Sequence, residues 1–178
     1  MEELEQLQER LHNQRPIPWE KFPDIPLYMD QVLYYINHQL DPICQPELLT
    51  AAMVNNYTKS GLLPRAEGKR YNSDHLAYLT TICILKQVLP ARDIDLLIRK
   101  HLQDGDIRNR YEVLMESLDQ TLNRAADEMQ DYMTEDKLED AAVHFALNAF
   151  AASVVCRRYV DILRQNHPEL APGKERNR

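Results

Sequence analysis

Apolar residues recur with a helical period along most of this chain. Over residues 27–40 they are spaced at a period near 3.6, which predicts a helix. The Asp41-Pro42 pair is expected to end that helix, because proline cannot continue the backbone hydrogen bonding. A second helix is predicted from about Pro46 to residue 60, with the proline in the first turn, where it is tolerated, and Gly61 as the C-terminal stop. Together the two helices predict a helix-turn-helix.

A short basic loop follows the second predicted helix. Leu62 and Leu63 are expected to pack into the core, and Pro64 prevents the helix from continuing. Residues 68–71, which read Gly-Lys-Arg-Tyr, predict a tight turn. The loop therefore makes at most a minimal β wing.

Two further helices complete the predicted N-terminal module. The third is expected to start with Asn72 or Ser73 as its N-cap and to end near residue 88. The fourth is predicted over residues 91–102, where Asp104-Gly105 stops it. Residues 24–103 are accordingly predicted to form a winged helix-turn-helix.

Beyond residue 105, apolar side chains step by four and three in near-heptad order along two longer helices, which predicts helix-on-helix packing. The first set is Ile107, Tyr111, Leu114, Leu118, Leu122, Ala125, Met129 and Tyr132, and the second is Leu138, Ala142, Phe145, Ala149, Ala152, Cys156, Tyr159 and Leu163. An antiparallel helical hairpin over residues 106–166 is the simplest arrangement. The centre of its second helix, AAVHFALNAFAASVVC, is apolar on nearly every face. That pattern predicts burial from more than one side, including at a dimer interface.

The two ends of the chain differ from the body. Residues 1–23 combine an amphipathic arm, with Leu4, Leu7 and Leu11 on one stripe, and a proline-rich linker. The arm is expected to dock on another element. Residues 167–178 are polar and predict a flexible tail.

Composition supports an all-α fold. The chain has 44% apolar residues and only 4 glycines in 178 residues, which favours a helical protein with a real core over a β-sandwich or an α/β enzyme. No phosphate-binding glycine loop is present, the 6 histidines are scattered, and the acidic pairs lie where helices begin. We therefore expect neither an enzyme nor a cofactor.

The net charge of -7 is distributed unevenly. Residues 41–92 hold six basic and four acidic side chains, a net +2, whereas the segments on either side are both acidic. Within residues 59–70, four basic side chains against Glu67 give +3. Because phosphate contacts need a basic patch rather than a basic protein, the candidate DNA-binding segment is the one where they are expected.

Cysteine usage and hydropathy indicate where the protein acts. The three cysteines, Cys44, Cys83 and Cys156, lie far apart in an odd set, which indicates neither disulfides nor a metal site. No uninterrupted apolar run approaches the ~20 residues needed to cross a bilayer, and the acidic N-terminus has no signal-peptide core. We expect a soluble cytoplasmic protein without a membrane partner.

The segment from Tyr57 to Leu76 resembles the winged helix-turn-helix of MerR-type regulators. That pattern has an Arg-Tyr-Tyr-Glu helix end, then Gly-Leu, a proline, a basic wing and an Arg-x-Tyr before a capped helix. The matching residues here are Tyr57, Leu62, Leu63, Pro64, Arg70, Tyr71, Asp74 and Leu76. Asn55, Asn56 and Thr58 depart from the pattern, and the wing is several residues shorter. A phosphate contact by the missing arginine is therefore not carried over.

The chain resembles more closely a bacterial family of uncharacterised helical proteins built on this module. The shared elements, which include Asn-Asn-Tyr, Gly-Leu-Leu-Pro and His-Leu-Ala-Tyr-Leu, lie within residues 55–79, with further similarity at residues 19–40 and 86–94. The resemblance implies a regulator without a defined target or effector.

The candidate DNA-binding residues combine amides and cations. Side-chain amides read base edges and basic side chains bind phosphates, whereas a tyrosine at this place is expected to hold the backbone. The set is Asn55, Asn56, Tyr57, Lys59, Arg65, Lys69 and Arg70. Asparagines near a helix C-terminus also serve as solvated or capping residues, and a basic loop is also a common solvated surface.

His144 and Asn148 lie one turn apart in an apolar stretch and are candidates for an effector pocket. The alternative is that the two polar residues satisfy each other inside a helical interface. For the whole chain, we predict a dimeric transcriptional regulator bound to duplex DNA, with a small molecule or a protein as a further effector. The competing hypothesis is a helical protein-protein interaction module that has a winged-helix fold and binds no DNA.

Overall fold

The computed structural model describes residues 1–44, 47–102 and 106–170, and this part of the chain is all-α. Its helices are α1 (Glu2–Asn13), α2 (Met29–Cys44), α3 (Ala51–Ser60), α4 (Ser73–Leu85), α5 (Ala91–Leu102), α6 (Ile107–Met129) and α7 (Leu138–Asn166). Single 3-10 turns lie at Trp19–Lys21, Gln130–Tyr132, Glu135–Lys137 and Pro168–Leu170. In the described residues, two antiparallel bridges, Leu27 with Tyr71 and Glu67 with Arg70, are the only isolated strand-like pairings. The predicted all-α fold is confirmed.

Two predicted helix boundaries are wrong. The first helix does not end at Asp41-Pro42 but continues as α2 to Cys44. A proline at position 42 lacks only the one N–H that would bond the carbonyl of residue 38, and the helix ends two residues later. The next helix begins at Ala51, because the Thr50 side chain accepts a hydrogen bond from the Met53 N–H at 3.3 Å. Pro46, which was expected in its first turn, lies outside the described residues.

The other expected helix ends agree closely with the structure or lie outside the described residues. The third helix starts at Ser73 with Asn72 as N-cap and ends at Leu85, where isolated turns continue to Val88. The expected stop at Asp104-Gly105 lies outside the described residues, as does the tail from residue 171 onward.

Helix α4 forms the centre of the hydrophobic core. Every residue from His75 to Cys83 is buried, whereas a surface helix would bury one stripe. Inside this core the Gln39 side chain donates to the Thr80 hydroxyl at 2.8 Å and accepts from the Ile17 N–H at 3.0 Å. One side chain thereby satisfies polar groups of the linker and of α4, which a buried amide must do to avoid a desolvation cost.

Helix α1 packs antiparallel along α6, so the arm docks on the long C-terminal helix. The Gln8 side chain donates to the Ala126 carbonyl at 2.8 Å. Farther along, Arg15 forms an ion pair with Asp119 at 2.5 Å and donates to the Asn123 side chain at 2.8 Å. Helix α6 therefore contacts α1 on one side.

Helix α7 returns antiparallel to α6 but is mostly exposed. His144 lies beside Glu128 near its start, and Arg164 binds Asp93 on α5 at 2.7 Å near its end. Val160 is its only buried residue in the described part of the chain. The prediction that its centre would be buried from more than one side is not met within a single chain.

The stretch Glu135–Asn166 has the length and apolar composition that a membrane span requires, with a mean hydropathy of 1.2. None of its 18-residue apolar window is buried. A single helix of this length and composition is weak evidence for a span.

Candidate nucleic-acid interface

A single asparagine fixes the turn between α2 and α3. The Asn37 side chain donates to the Leu49 carbonyl at 3.1 Å and accepts from the Leu49 N–H at 2.7 Å. This pair of bonds replaces the partners that Leu49 would find in a helix, and residues 47–50 belong to neither helix. Asn37 thereby sets the place from which α3 starts.

Helix α3 exposes one polar face. Its buried residue, Val54, anchors the opposite face in the core. Asn55, Asn56 and Lys59 are all exposed and follow one another at intervals that keep them on the same side of the helix. Tyr57 is half-buried, and its carbonyl accepts from the N–H groups of the two leucines that follow Gly61. Burial raises the pKa of the Tyr57 hydroxyl, which stays protonated.

Gly61 ends α3 with a positive φ of 77°. That left-handed conformation favours glycine, and a Cβ there would lie 3.2 Å from the Arg99 guanidinium. The chain then turns so that Leu62 and Leu63 enter the core, at 3% and 1% exposure, as the sequence predicts.

The basic loop contains a tight hairpin, the wing turn, at residues 67–70. The Arg70 N–H donates to the Glu67 carbonyl at 2.9 Å. Gly68 and Lys69 both have positive φ, 56° and 62°, which is the pattern of a type I′ turn. Lys69 is therefore exposed at the tip of the turn.

Arg70 is held by an aromatic ring at the start of α2. Its guanidinium donates to the Tyr28 hydroxyl at 2.8 Å and lies 4.9 Å from the ring centroid. Next to it, Leu27 and Tyr71 exchange backbone hydrogen bonds of 2.8 and 2.9 Å. The wing turn is thus attached to the start of α2.

Positive charge on this surface is not neutralised by its neighbours. Lys59, Arg65 and Lys69 are exposed and form no ion pair with any described residue. Glu67, the nearest acid in sequence, lies in the turn itself without pairing to them. Exposed unpaired cations can bind phosphate without first breaking an internal contact.

His144 and Asn148, the effector-pocket candidates, contact each other and a third residue. The His144 ring lies 2.5 Å from a Glu128 carboxylate oxygen, and Asn148 donates to the same oxygen at 3.3 Å. Tyr132 stacks on the imidazole with a centroid separation of 5.1 Å. Glu128 was not predicted from the sequence, because it is 16 residues from His144 on another helix.

An apolar cavity of about 360 Å³ lies beside this cluster, between α1, α6 and α7. It is lined by Leu4, Leu7, Leu11, Ala125, Met129, Tyr132, Met133, Leu138, Ala141, Ala142 and Phe145. His144 and Asn148 do not line it. In the described residues, no group of three or more metal-ligating side chains comes together.

Comparison with known families matches residues 17–121 to the model of a domain of unknown function, DUF1836. The chain belongs to the DUF1836 family. No curated protein and no solved structure matches it. The expectation of an uncharacterised family is confirmed, while the match gives no evidence for a MerR-type relationship.

The DUF1836 match includes the whole candidate nucleic-acid interface, from Asn55 to Arg70, and not His144 or Asn148. It also extends past the predicted boundary at residues 103–106 into α6. Tyr111 of α6 is fully buried in the same core as α4. The division into two units stays a prediction, and the hydrophobic core continues across it.

Another residue of the DUF1836 domain, His75, lies next to the end of the wing turn, with its ring centroid 5.3 Å from that of Tyr71. Its ring accepts from the Asn72 N–H at 3.2 Å while the Asn72 side chain accepts from the His75 N–H at 3.3 Å, which forms a capping box. Nε2 is buried and has no hydrogen-bond partner. Burial lowers the pKa of His75 below its ordinary value of 6.5, and the charges of Asp74 and Glu67 partly oppose the shift.

We expect the stability of the protein to decline below pH 6.5 because of His75. A lowered pKa means that the unfolded state binds the proton more readily than the folded state, so the contribution is complete above pH 6.5 and is lost as the pH falls. Urea denaturation from pH 8 to pH 5 should show a smaller pH dependence in His75→Asn. The control His38→Asn changes an exposed ring and should retain the dependence. Equal slopes in His75→Asn and the parent would contradict this role.

Proposed function

We propose that this protein is a DNA-binding transcriptional regulator that acts as a dimer on duplex DNA in the cytoplasm. Helices α2 and α3 form the helix-turn-helix, and the wing turn adds phosphate contacts beside it. The observation that carries the proposal is the exposed face of α3 together with three unpaired cations, Lys59, Arg65 and Lys69. The protein is proposed to be neither an enzyme nor dependent on a cofactor.

The proposed roles follow from side-chain chemistry. Asn55 and Asn56 are placed to read base edges in the major groove, because an amide can donate and accept at adjacent base atoms. Lys59, Arg65 and Lys69 bind phosphate and fix the register. Arg70 is already bonded to Tyr28, so it orders the wing turn and contacts phosphate with its remaining donors.

A MerR-like winged helix-turn-helix is the finer form of this proposal. The helix order, the left-handed Gly61 and the return of the wing at Tyr71 support it. Asn55 stands where the MerR pattern has its arginine, so phosphate contact depends more heavily on the cations of the loop.

The test is salt-dependent binding of the full chain to pooled genomic DNA fragments. The variant Lys59→Ala, Arg65→Ala, Lys69→Ala, Arg70→Ala is expected to lose tight binding. The slope of log K against log salt should fall by about 0.9 for each phosphate contact removed. A matched control changes four exposed cations elsewhere to alanine, namely Lys21, Arg92, Arg124 and Lys137.

The control separates local contacts from net charge. Because both variants lose four positive charges, a general attraction to DNA would weaken equally in both. Loss in the first variant alone supports the candidate interface. Absence of binding by the parent chain, in which the dimer is intact, would contradict DNA binding.

The second candidate function is a protein-protein interaction module with a winged-helix-derived fold. Exposed apolar side chains just before and within α2 favour it, since Ile25 is 73% exposed and Tyr34 71% exposed. The net charge of -7 points the same way. If the quadruple variant keeps full binding to a protein partner while neither chain binds DNA, this function replaces the first.

A further inference from the structure

Helix α7 has a continuous apolar stripe on the side that faces away from α6. Val143, Leu147, Phe150 and Val154 step by four, three and four residues, so they lie on one face. Their exposed fractions are 54%, 62%, 67% and 50%. The residues that contact the rest of the chain, such as His144 and Val160, lie on other faces. A stripe of this kind marks an interaction surface.

The charges that flank this stripe have opposite signs at its two ends. Glu139 and Asp140 lie at the N-terminal end, and Arg157 and Arg158 lie at the C-terminal end. All four are exposed, and none forms an ion pair with a described residue. The acidic end of one α7 is therefore complementary to the basic end of another.

We propose that two copies of the chain join through α7, antiparallel, about a two-fold axis that passes between the two helices at the level of the midpoint between Asn148 and Ala149. This inference names the surface through which the copies of the proposed regulator join. It rests on the proposal that the regulator is a dimer. It does not require DNA binding.

The positions of the stripe residues are symmetric about that midpoint. Leu147 and Phe150 are equally distant from it on opposite sides, and so are Val143 and Val154. In an antiparallel pair Leu147 thus lies opposite Phe150 of the second copy, and Val143 lies opposite Val154 of the second copy. A two-fold interface requires this self-complementarity.

The charges match in the same register. On one flank of the stripe, Glu139 lies beside Arg157 of the second copy. Their positions along the helix axis differ by one residue. On the other flank, Asp140 lies beside Arg158 of the second copy. A parallel pair would instead place acid beside acid and arginine beside arginine, which is destabilising. The charges therefore select the antiparallel orientation.

A second copy fits this face better than a lipid bilayer does. The uncharged run in α7 covers Ala141 to Cys156, which is 16 residues. At 1.5 Å per residue it spans about 24 Å, less than the ~30 Å hydrocarbon core. The C-terminal part of the helix is also tied to α5 through Arg164 and Asp93.

Charge reversal tests the pairing in the full chain. The acid-reversed variant, Glu139→Lys with Asp140→Lys, and the base-reversed variant, Arg157→Glu with Arg158→Glu, should each be monomeric by light scattering. The expected mass changes from twice 20.9 kDa to about 20.9 kDa. An equimolar mixture should restore a dimer, because each reversed end meets its opposite. Persistence of the dimer in both single variants, or no recovery in the mixture, would overturn the proposal.

Cross-linking tests the orientation. Val143→Cys and Val154→Cys, each alone, should form no disulfide-linked dimer above the parent, which has its own cysteines as background. Their mixture should form a linked dimer on mild oxidation, because these positions face each other only in the antiparallel register. Efficient cross-linking of either variant alone would contradict that register.

Vesicle flotation and DNA binding distinguish two further outcomes. A monomeric parent chain that floats with phospholipid vesicles would overturn the proposal in favour of a membrane surface. A dimer that behaves as described but binds no DNA supports this inference and contradicts the proposed regulator, so failure of one is distinguishable from failure of the other.

Discussion

Replacement of Tyr111 by alanine is expected to lower the free energy of unfolding by about 3–5 kcal/mol. Tyr111 is fully buried, and its ring lies 5.2 Å from that of Phe22 and 6.2 Å from that of Trp19. Alanine would leave a large cavity at the junction of the linker, α4 and α6. Urea denaturation followed by circular dichroism measures the change.

The matched variant Tyr111→Phe keeps the ring and removes one hydrogen bond. The Tyr111 hydroxyl donates to the Ile17 carbonyl at 2.7 Å, and burial raises the pKa of the phenol, which remains a donor. We expect a loss of about 1–3 kcal/mol, because the buried carbonyl stays unsatisfied. A Tyr111→Ala variant as stable as the parent would show that α6 does not belong to the core.

Tyr111 also explains why the N-terminal module and the helical hairpin are hard to separate. The sequence predicts a boundary at residues 103–106 because the charged and glycine-containing segment there ends a helix. The linker before α2 and the first turns of α6 nevertheless share one core through Ile17, Trp19 and Tyr111. Removal of the hairpin would therefore expose apolar surface that the module needs.

Local rules recovered most helices and failed at particular residues. The cap at Asn72 located the start of α4, because an N-cap is a signal carried by a few neighbouring residues. A start at Pro46 is predicted because proline is tolerated in a first helical turn, whereas α3 begins at Ala51 after the Thr50 cap. The deciding contact, from Asn37 to Leu49, is 12 residues away in sequence and was not visible in local patterns.

The candidate interface was predictable to a similar extent. The Gly-Lys pair predicts a tight turn, whereas the exposed face with Asn55, Asn56 and Lys59 becomes visible only in the structure, where Val54 is the buried residue of α3. The sequence does not predict that Arg70 binds Tyr28, since the two are 42 residues apart. Nor does it predict that α1 packs on α6, because an amphipathic stripe identifies a buried face without identifying its partner.

The variant Leu147→Glu, Phe150→Glu is expected to be a folded monomer with greatly reduced affinity for an operator of two half-sites. Both side chains are more than 60% exposed in the single chain, at 62% and 67%, so the carboxylates remain solvated and the helices persist. In a dimer the same carboxylates would be buried without partners, which prevents association. Affinity should fall by about 10²–10⁴-fold, because the second module no longer binds at high effective concentration.

The matched control is Val113→Glu with Gln120→Glu, which adds the same charge at two exposed positions of α6, where Val113 is 47% exposed. This control should remain dimeric and bind as the parent does. Binding to an isolated half-site should be equal in all three proteins, since each module keeps its phosphate and base contacts. If the α7 variant is monomeric and still binds the full operator like the parent, the two modules do not act together. If it stays dimeric, the copies join elsewhere, because four buried carboxylates at the centre of the proposed interface, two from each copy, are incompatible with it.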